Sequence, residues 1–265
     1  MAIGSLLREW RAARRLSQLD LALRAEISAR HLNRVENGKS QPTVEMIKRL
    51  ADALDIPLRE RNTMLVAAGY AAQYSETELD APKMTLVRQA IEFILAQQEP
   101  YPAFITDVYW NVLMTNDALK RLFGWIRDGA DIHDNILRQI FDPHDMRPFI
   151  HNWDEVAEDC VKLLHDQVAA APSDTKARAL LDEVLAYPGV PDRWRKRDLS
   201  TAPVPMLTCE FHKGDIVMRF FSTITTFATP RDVTIEGLRI ECLYPVDDVT
   251  ANICRTLASN GGIEP

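Results

Sequence analysis

Between Ser28 and Thr43 the chain reads SARHLNRVENGKSQPT, and no other stretch restricts the fold so much. Ser28 has a hydroxyl that can cap a helix, and Gly38 offers the positive φ that ends one. Between them, Leu32 and Val35 are the only sizeable apolar residues. Spaced three apart, they form one narrow inward stripe, while Arg30, His31, Asn33 and Arg34 fill the remaining surface. A helix this short and polar is not stable alone, so neighbouring elements must hold it while its outer face stays open to a partner.

Those neighbours are legible on both sides. Leu6, Leu7, Trp10 and Ala13 recur at helical spacing among Arg8, Arg11, Arg14 and Arg15, which predicts a first amphipathic helix. Ser17 is placed to cap a second, with Leu19, Ala22 and Leu23 expected inward. Thr43 caps a fourth, whose inward set is Val44, Ile47, Leu50, Ala51 and Leu54, and Pro57 opens a fifth in its first turn. Five short helices in about 70 residues, the second and third joined by a tight turn, predict an all-α helix-turn-helix bundle.

The string LSQLDLALRAEISARHLNRVENGKSQPTVEMIKRLADALDI resembles the lambda and 434 repressor type of DNA-binding domain, the XRE family, over roughly residues 3 to 68. The resemblance rests on Ser-Gln at the start of helix two, Ile-Ser before helix three, Glu-x-Gly at its exit, Pro-Thr before helix four and the closing Ala-x-Ala-Leu. It implies that helix three enters the major groove, where polar side chains read base edges. Ala29, Arg30 and Arg34 match base-reading positions and Asn33 lies beside them; Ser28, the cap, is counted with the interface. The two arginines suit guanine O6 and N7, whereas Ala29 offers only a methyl contact. Gln18 matches a position that holds phosphate and braces the reading helix, Lys39 and Gln41 are candidates for backbone contacts, and Arg11 with Glu36 matches a buried ion pair.

Charge agrees with this division. The net −7 splits into 12 Lys/Arg against 8 Asp/Glu over residues 1–68 and 19 against 30 beyond, a basic end on an acidic body. No window approaches a membrane span, and an arginine-rich N-terminus is unlike a signal peptide, so a cytoplasmic protein with no membrane partner is expected. The four cysteines, Cys160, Cys209, Cys242 and Cys254, lack CxxC spacing and fall in apolar segments, as reduced buried thiols do.

Residues 71–100 read as a linker and a connecting helix, with Val87, Ile91, Ile94 and Leu95 on one side. From Pro102 short β-prone runs appear, PAFITD and WNVLMTN, and then helical blocks, one of them capped by Ser173. After Ser200 the runs LTCEF, IVMRFFSTITTF and LRIECLY alternate as strands, with Leu238, Ile240 and Cys242 on one face and Arg239 and Glu241 on the other. The order predicts an α+β, PAS-like domain over 101–265: a five-stranded antiparallel sheet with helices laid over one face. The strings EPYPAFITDVYWNVLMTNDALKRLFG, NILRQIFDPHDMRPFIHNWDEVA and VPDRWRKRDL then make the chain resemble the MmyB-like regulators, an XRE bundle (here 1–70) joined to a ligand-binding domain.

Motifs for chemistry are missing: no GxSxG, HExxH or phosphate loop, and His144 and His151 are separated by Pro148. An enzyme and a metal or organic cofactor are therefore not expected. The inward face of a PAS-like sheet would hold Phe104, Trp110, Phe123, Ile136, Ile140, Phe141, Met218, Phe220 and Ile240. Space left among them suits an apolar ligand, with Asn135 and Arg138 to hold a polar end; a guanidinium suits a carboxylate. The resemblance to a ligand-binding family directs this towards a fatty acid or similar lipophilic carboxylate. The other reading of the same residues is a filled core that serves dimerisation or docking. Either way, a homodimer on a pseudo-palindromic operator is expected, with half-sites about one helical turn apart.

Overall fold

The computed structural model describes residues 2–127, 133–196 and 206–260. Its N-terminal part is a bundle of α1 (Ile3–Ala13), α2 (Gln18–Arg24), α3 (Ala29–Glu36), α4 (Val44–Ala53) and α5 (Leu58–Ala67). The capping residues anticipated from the sequence start three of them: Ser17 accepts from the Asp20 amide, Ser28 from His31 and Thr43 from Met46. Gly38 has φ +67°, the turn out of α3. Pro57 stands one place earlier than expected, at the N-cap of α5. Leu7, Trp10, Leu21, Leu32, Val35, Ile47, Leu50 and Leu54 make the shared core.

Helix α2 buries only Ala22 of its expected interior and is rotated so that Leu21, not Leu19 or Leu23, packs beside it. Leu21 and Ala22 are buried, whereas Leu19 and Leu23 are 59% and 69% exposed. Apolar residues lie on both sides of this helix, so periodicity could not choose between the two stripes; packing against α3 and α4 did. Ala13 is likewise exposed. Residues 166–178 and 228–236 group with residues 1–77 in this first compact unit, a division that differs from a boundary at residue 70. Within it, Ser173 does not cap a helix: its hydroxyl donates to Glu60, and Asp174 caps the helix that follows.

The second unit is built on a five-stranded antiparallel sheet in the order β2-β1-β5-β4-β3. Its strands are β1 (Ala103–Thr106), β2 (Val112–Thr115), β3 (Thr208–Lys213), β4 (Ile216–Thr225) and β5 (Arg239–Pro245). The remaining helices of the chain, in order, are α6 (Thr85–Gln97), α7 (Asp117–Arg127), α8 (Ile136–Phe141), α9 (Trp153–Ala170), α10 (Thr175–Val184), α11 (Val233–Gly237) and α12 (Asp248–Asn260); of these, nearly all of α11, the end of α9 and the start of α10 fall in the first unit. The last three strands form the expected meander, with Gly214 at φ +56° in the tight turn between β3 and β4. The end of VPDRWRKRDL lies outside the described residues.

Both faces of the sheet are covered, not one. Ala103, Ile105, Leu238, Ile240 and Cys242 pack with Ile91 and Leu95 of α6. The opposite face presents Phe104, Phe211, Met218, Phe220 and Leu243 to α7, α8, α9 and α12. Strand alternation sorted the β5 residues correctly into two sets, and α6 took the set that had been expected to face a ligand.

Candidate functional site

In the first unit the outer face of α3 is open. Arg30, His31, Asn33 and Arg34 are exposed, as is Lys39 just beyond the helix. Below them Arg11 holds Glu36 through two bonds, Nε to Oε1 at 2.8 Å and Nη2 to Oε2 at 3.0 Å. The Glu36 side chain has no solvent exposure. The carboxylate, in turn, raises the pKa of the Arg11 guanidinium above its usual range through hydrogen bonding. Gln18 joins the arrangement by donating Nε2–H to Glu36 at 2.7 Å and accepting from Asn33 Nδ2 at 3.1 Å. A chain of polar contacts therefore runs from α1 through the start of α2 to the exposed face of α3. The bundle is tight here, because a Cβ on Gly4 would stand 2.5 Å from the Glu36 carbonyl oxygen.

The remaining residues expected at this interface are placed less simply. Ala29 is half-buried and packs on the bundle core, so its methyl is only partly available. The Ser28 hydroxyl is occupied as a cap, and the Gln41 amide donates to the Ala68 carbonyl.

In the second unit a cavity of about 480 Å³ lies between the sheet and α7, α8 and α9. That volume falls in the range of small-molecule sites. Phe104, Trp110, Phe123, Ile136, Ile140, Phe211, Phe220 and Leu243 line its apolar part. At its exposed mouth stand Asp159, Leu163, Met206, Ser222 and Ile224. No helix among the described residues is long and apolar enough to cross a membrane, and no group of described residues has the composition of a metal site.

The family-model comparison decides what these two units belong to. Residues 87–257 match the model of the MmyB-like transcription regulator ligand binding domain, and residues 7–61 match a helix-turn-helix model. The chain belongs to the MmyB-like transcription regulators. It is also similar to the HTH-type transcriptional repressor RghR of Bacillus subtilis (strain 168), 32% identical over 136 residues, which cover 49% of this chain and 93% of that one. The structure of an RNA-binding light-oxygen-voltage receptor matches at 12% identity and a TM-score of 0.27, covering 97% of this chain and 64% of the receptor, less than two thirds of its length.

Against this background the MmyB-like cavity differs from the one expected. Phe104, Trp110, Phe123 and Phe220 line it; Asn135, Arg138, Phe141 and Met218 do not. Asn135 is the N-cap of α8, its Oδ1 accepting from Leu137 and Arg138 and its amide donating to Tyr109 O at 2.8 Å. Arg138 points away to Glu183, making bonds of 2.7 and 3.0 Å. Phe141 packs on Trp153 and Tyr187, and Met218 is wholly buried in the sheet-side core. Ile240 faces α6.

Sequence reasoning missed the polar residues that do face the cavity. Glu241 lines it from β5, flanked by Phe104 on β1 and Ile224 on β4. Burial pushes its carboxyl above the usual range, against the opposing effect of a hydrogen bond from Ser222. Asp159 is raised for the same reason, with Lys162 opposing. The cavity-lining thiols Cys160 and Cys209 are driven up by burial and by neighbouring carboxylates, which keeps them protonated and poorly nucleophilic. The signal for Glu241 was available: the alternation in LRIECLY set it opposite Ile240, and only the assumption of an uncovered second face assigned it to solvent.

Proposed function

We propose that the protein is a cytoplasmic, homodimeric transcription regulator that reads a pseudo-palindromic operator with α3 and changes its DNA affinity when a lipophilic effector occupies the cavity. The observation that carries the DNA half is the exposed Arg30, Arg34 and Lys39 on and beside a helix whose orientation is held by Arg11, Glu36, Gln18 and Asn33. Cations on a rigid helix face suit base edges and phosphates. Two such helices in a dimer would meet half-sites about one turn apart. For the effector half, a 480 Å³ space with a largely apolar wall favours ligand binding over a filled docking core. The carboxylate head expected from Asn135 and Arg138 loses its basis, since neither residue lines that space.

The test is DNA binding by fluorescence anisotropy on a site selected from a random library, beside random duplex. Arg34→Ala should lose roughly 1–3 kcal/mol of discrimination at one base pair. Lys39→Ala should weaken both duplexes alike and make the salt dependence shallower by about one unit of slope. Equal loss on both duplexes for Arg34→Ala would remove it from base reading.

A further inference from the structure

The cavity wall carries charge of one sign. Glu241 and Asp159 face it, and the other side chains with polar N–H, O–H or S–H groups are neutral: the Gln139 amide, the Trp110 indole, the Ser222 hydroxyl and the thiols of Cys160 and Cys209. Among the described residues no lysine, arginine or histidine lines it. Glu241 is the deeper of the two acids. It projects from the sheet between Phe104 and Ile224, two residues from Leu243 and from Arg239 on the same strand face, and a side-chain partner there is the Ser222 hydroxyl; Leu243 lines the cavity and Arg239 does not. Asp159 stands at the mouth, exposed.

An anion drawn away from bulk water needs a counter-charge or strong donors. A ligand carboxylate would add a second negative charge beside Glu241 in apolar surroundings, which repulsion and lost hydration both oppose. An ammonium group has the reverse effect: it neutralises Glu241 and supplies the charged donor that the wall lacks. Asp159 at the entrance would further favour a cation on its way in.

We infer that the effector of this cavity is a lipophilic amine, with its protonated nitrogen on Glu241 and its apolar tail among Phe104, Phe123, Phe211 and Phe220. The inference rests on the cavity being the effector site, and it replaces the fatty-acid head group with a cation.

Three probes of one chain length decide it: decylamine, 1-decanol and decanoate, each titrated calorimetrically into the full-length protein and into Glu241→Gln at neutral pH. Decylamine should bind one per chain, at least tenfold tighter than decanol and tighter still than decanoate. Glu241→Gln should weaken decylamine tenfold or more and leave decanol within twofold, which also shows that the variant is folded around an intact cavity. The wild-type ranking is a test by itself, whatever the variant's stability. Decanoate binding as tightly as decylamine, or decylamine binding unchanged in Glu241→Gln, would overturn the cation while leaving the cavity as an effector site. No binding of any probe would remove both.

Discussion

Replacing Arg11 by Met isolates a buried carboxylate beneath the DNA-reading helix. Glu36 is fully enclosed and would lose its two charged donors at 2.8 and 3.0 Å, keeping only the Gln18 amide at 2.7 Å. Removing one member of a buried pair generally costs about 3–5 kcal/mol, because the remaining charge keeps its desolvation without its partner. The Arg11 side chain is 20% exposed and Gln18 remains, so the lower end, about 3 kcal/mol, is expected. Arg138 and Glu183 supply the control. Their geometry is nearly the same, 2.7 and 3.0 Å, but they are 39% and 41% exposed, so Arg138→Ala should cost less than about 1 kcal/mol. Hydrogen exchange of peptides from α1–α5 and from α8–α10 reads each loss where it occurs. In Arg11→Met, Gln18 and Asn33 lose their anchor, so operator affinity should fall as well. The double variant Arg11→Met/Glu36→Met should recover most of the stability, since apolar replacement of both partners removes the stranded charge. A loss below about 1 kcal/mol for Arg11→Met, or a double variant as damaged as the single one, would refute the reasoning.

Two further outcomes follow from local chemistry. Gly38→Ala forces an L side chain into φ +67° where the new methyl meets nothing, so the cost is of backbone origin, roughly 1–2 kcal/mol in chemical denaturation. No loss would mean that α3 ends by some other turn. Glu241 binds its proton more firmly in the folded protein than in the unfolded chain, so stability falls as pH rises from the ordinary carboxyl range near 4 through the raised folded value. Glu241→Gln escapes that loss: calorimetry should show a higher Tm than wild type at pH 7 and convergence below about pH 4. The other titratable groups facing the cavity, Asp159, Cys160 and Cys209, remain in both proteins. A Tm difference that does not vary with pH would show that Glu241 is not desolvated.

By itself the sequence determined the features whose energetics close within a few residues. Ser17, Ser28 and Thr43 cap amides three positions on, and Gly38 is required by its own φ. Leu32 and Val35 could face only inward because α3 offers nothing else apolar, and the β5 alternation had to split Ile240 from Glu241. The tertiary structure decided where two local answers were equally good. Leu19 and Leu23 yielded their place beside the expected Ala22 to Leu21 because packing against neighbouring helices selected one of two apolar stripes. Arg138 found Glu183 forty-five positions away, a pairing that no local pattern encodes. Above all, α6 covered the Ile240 face of the sheet and left Glu241 facing the cavity. A strand's period fixes which residues share a face, but only the elements packed on each side decide which face meets the ligand.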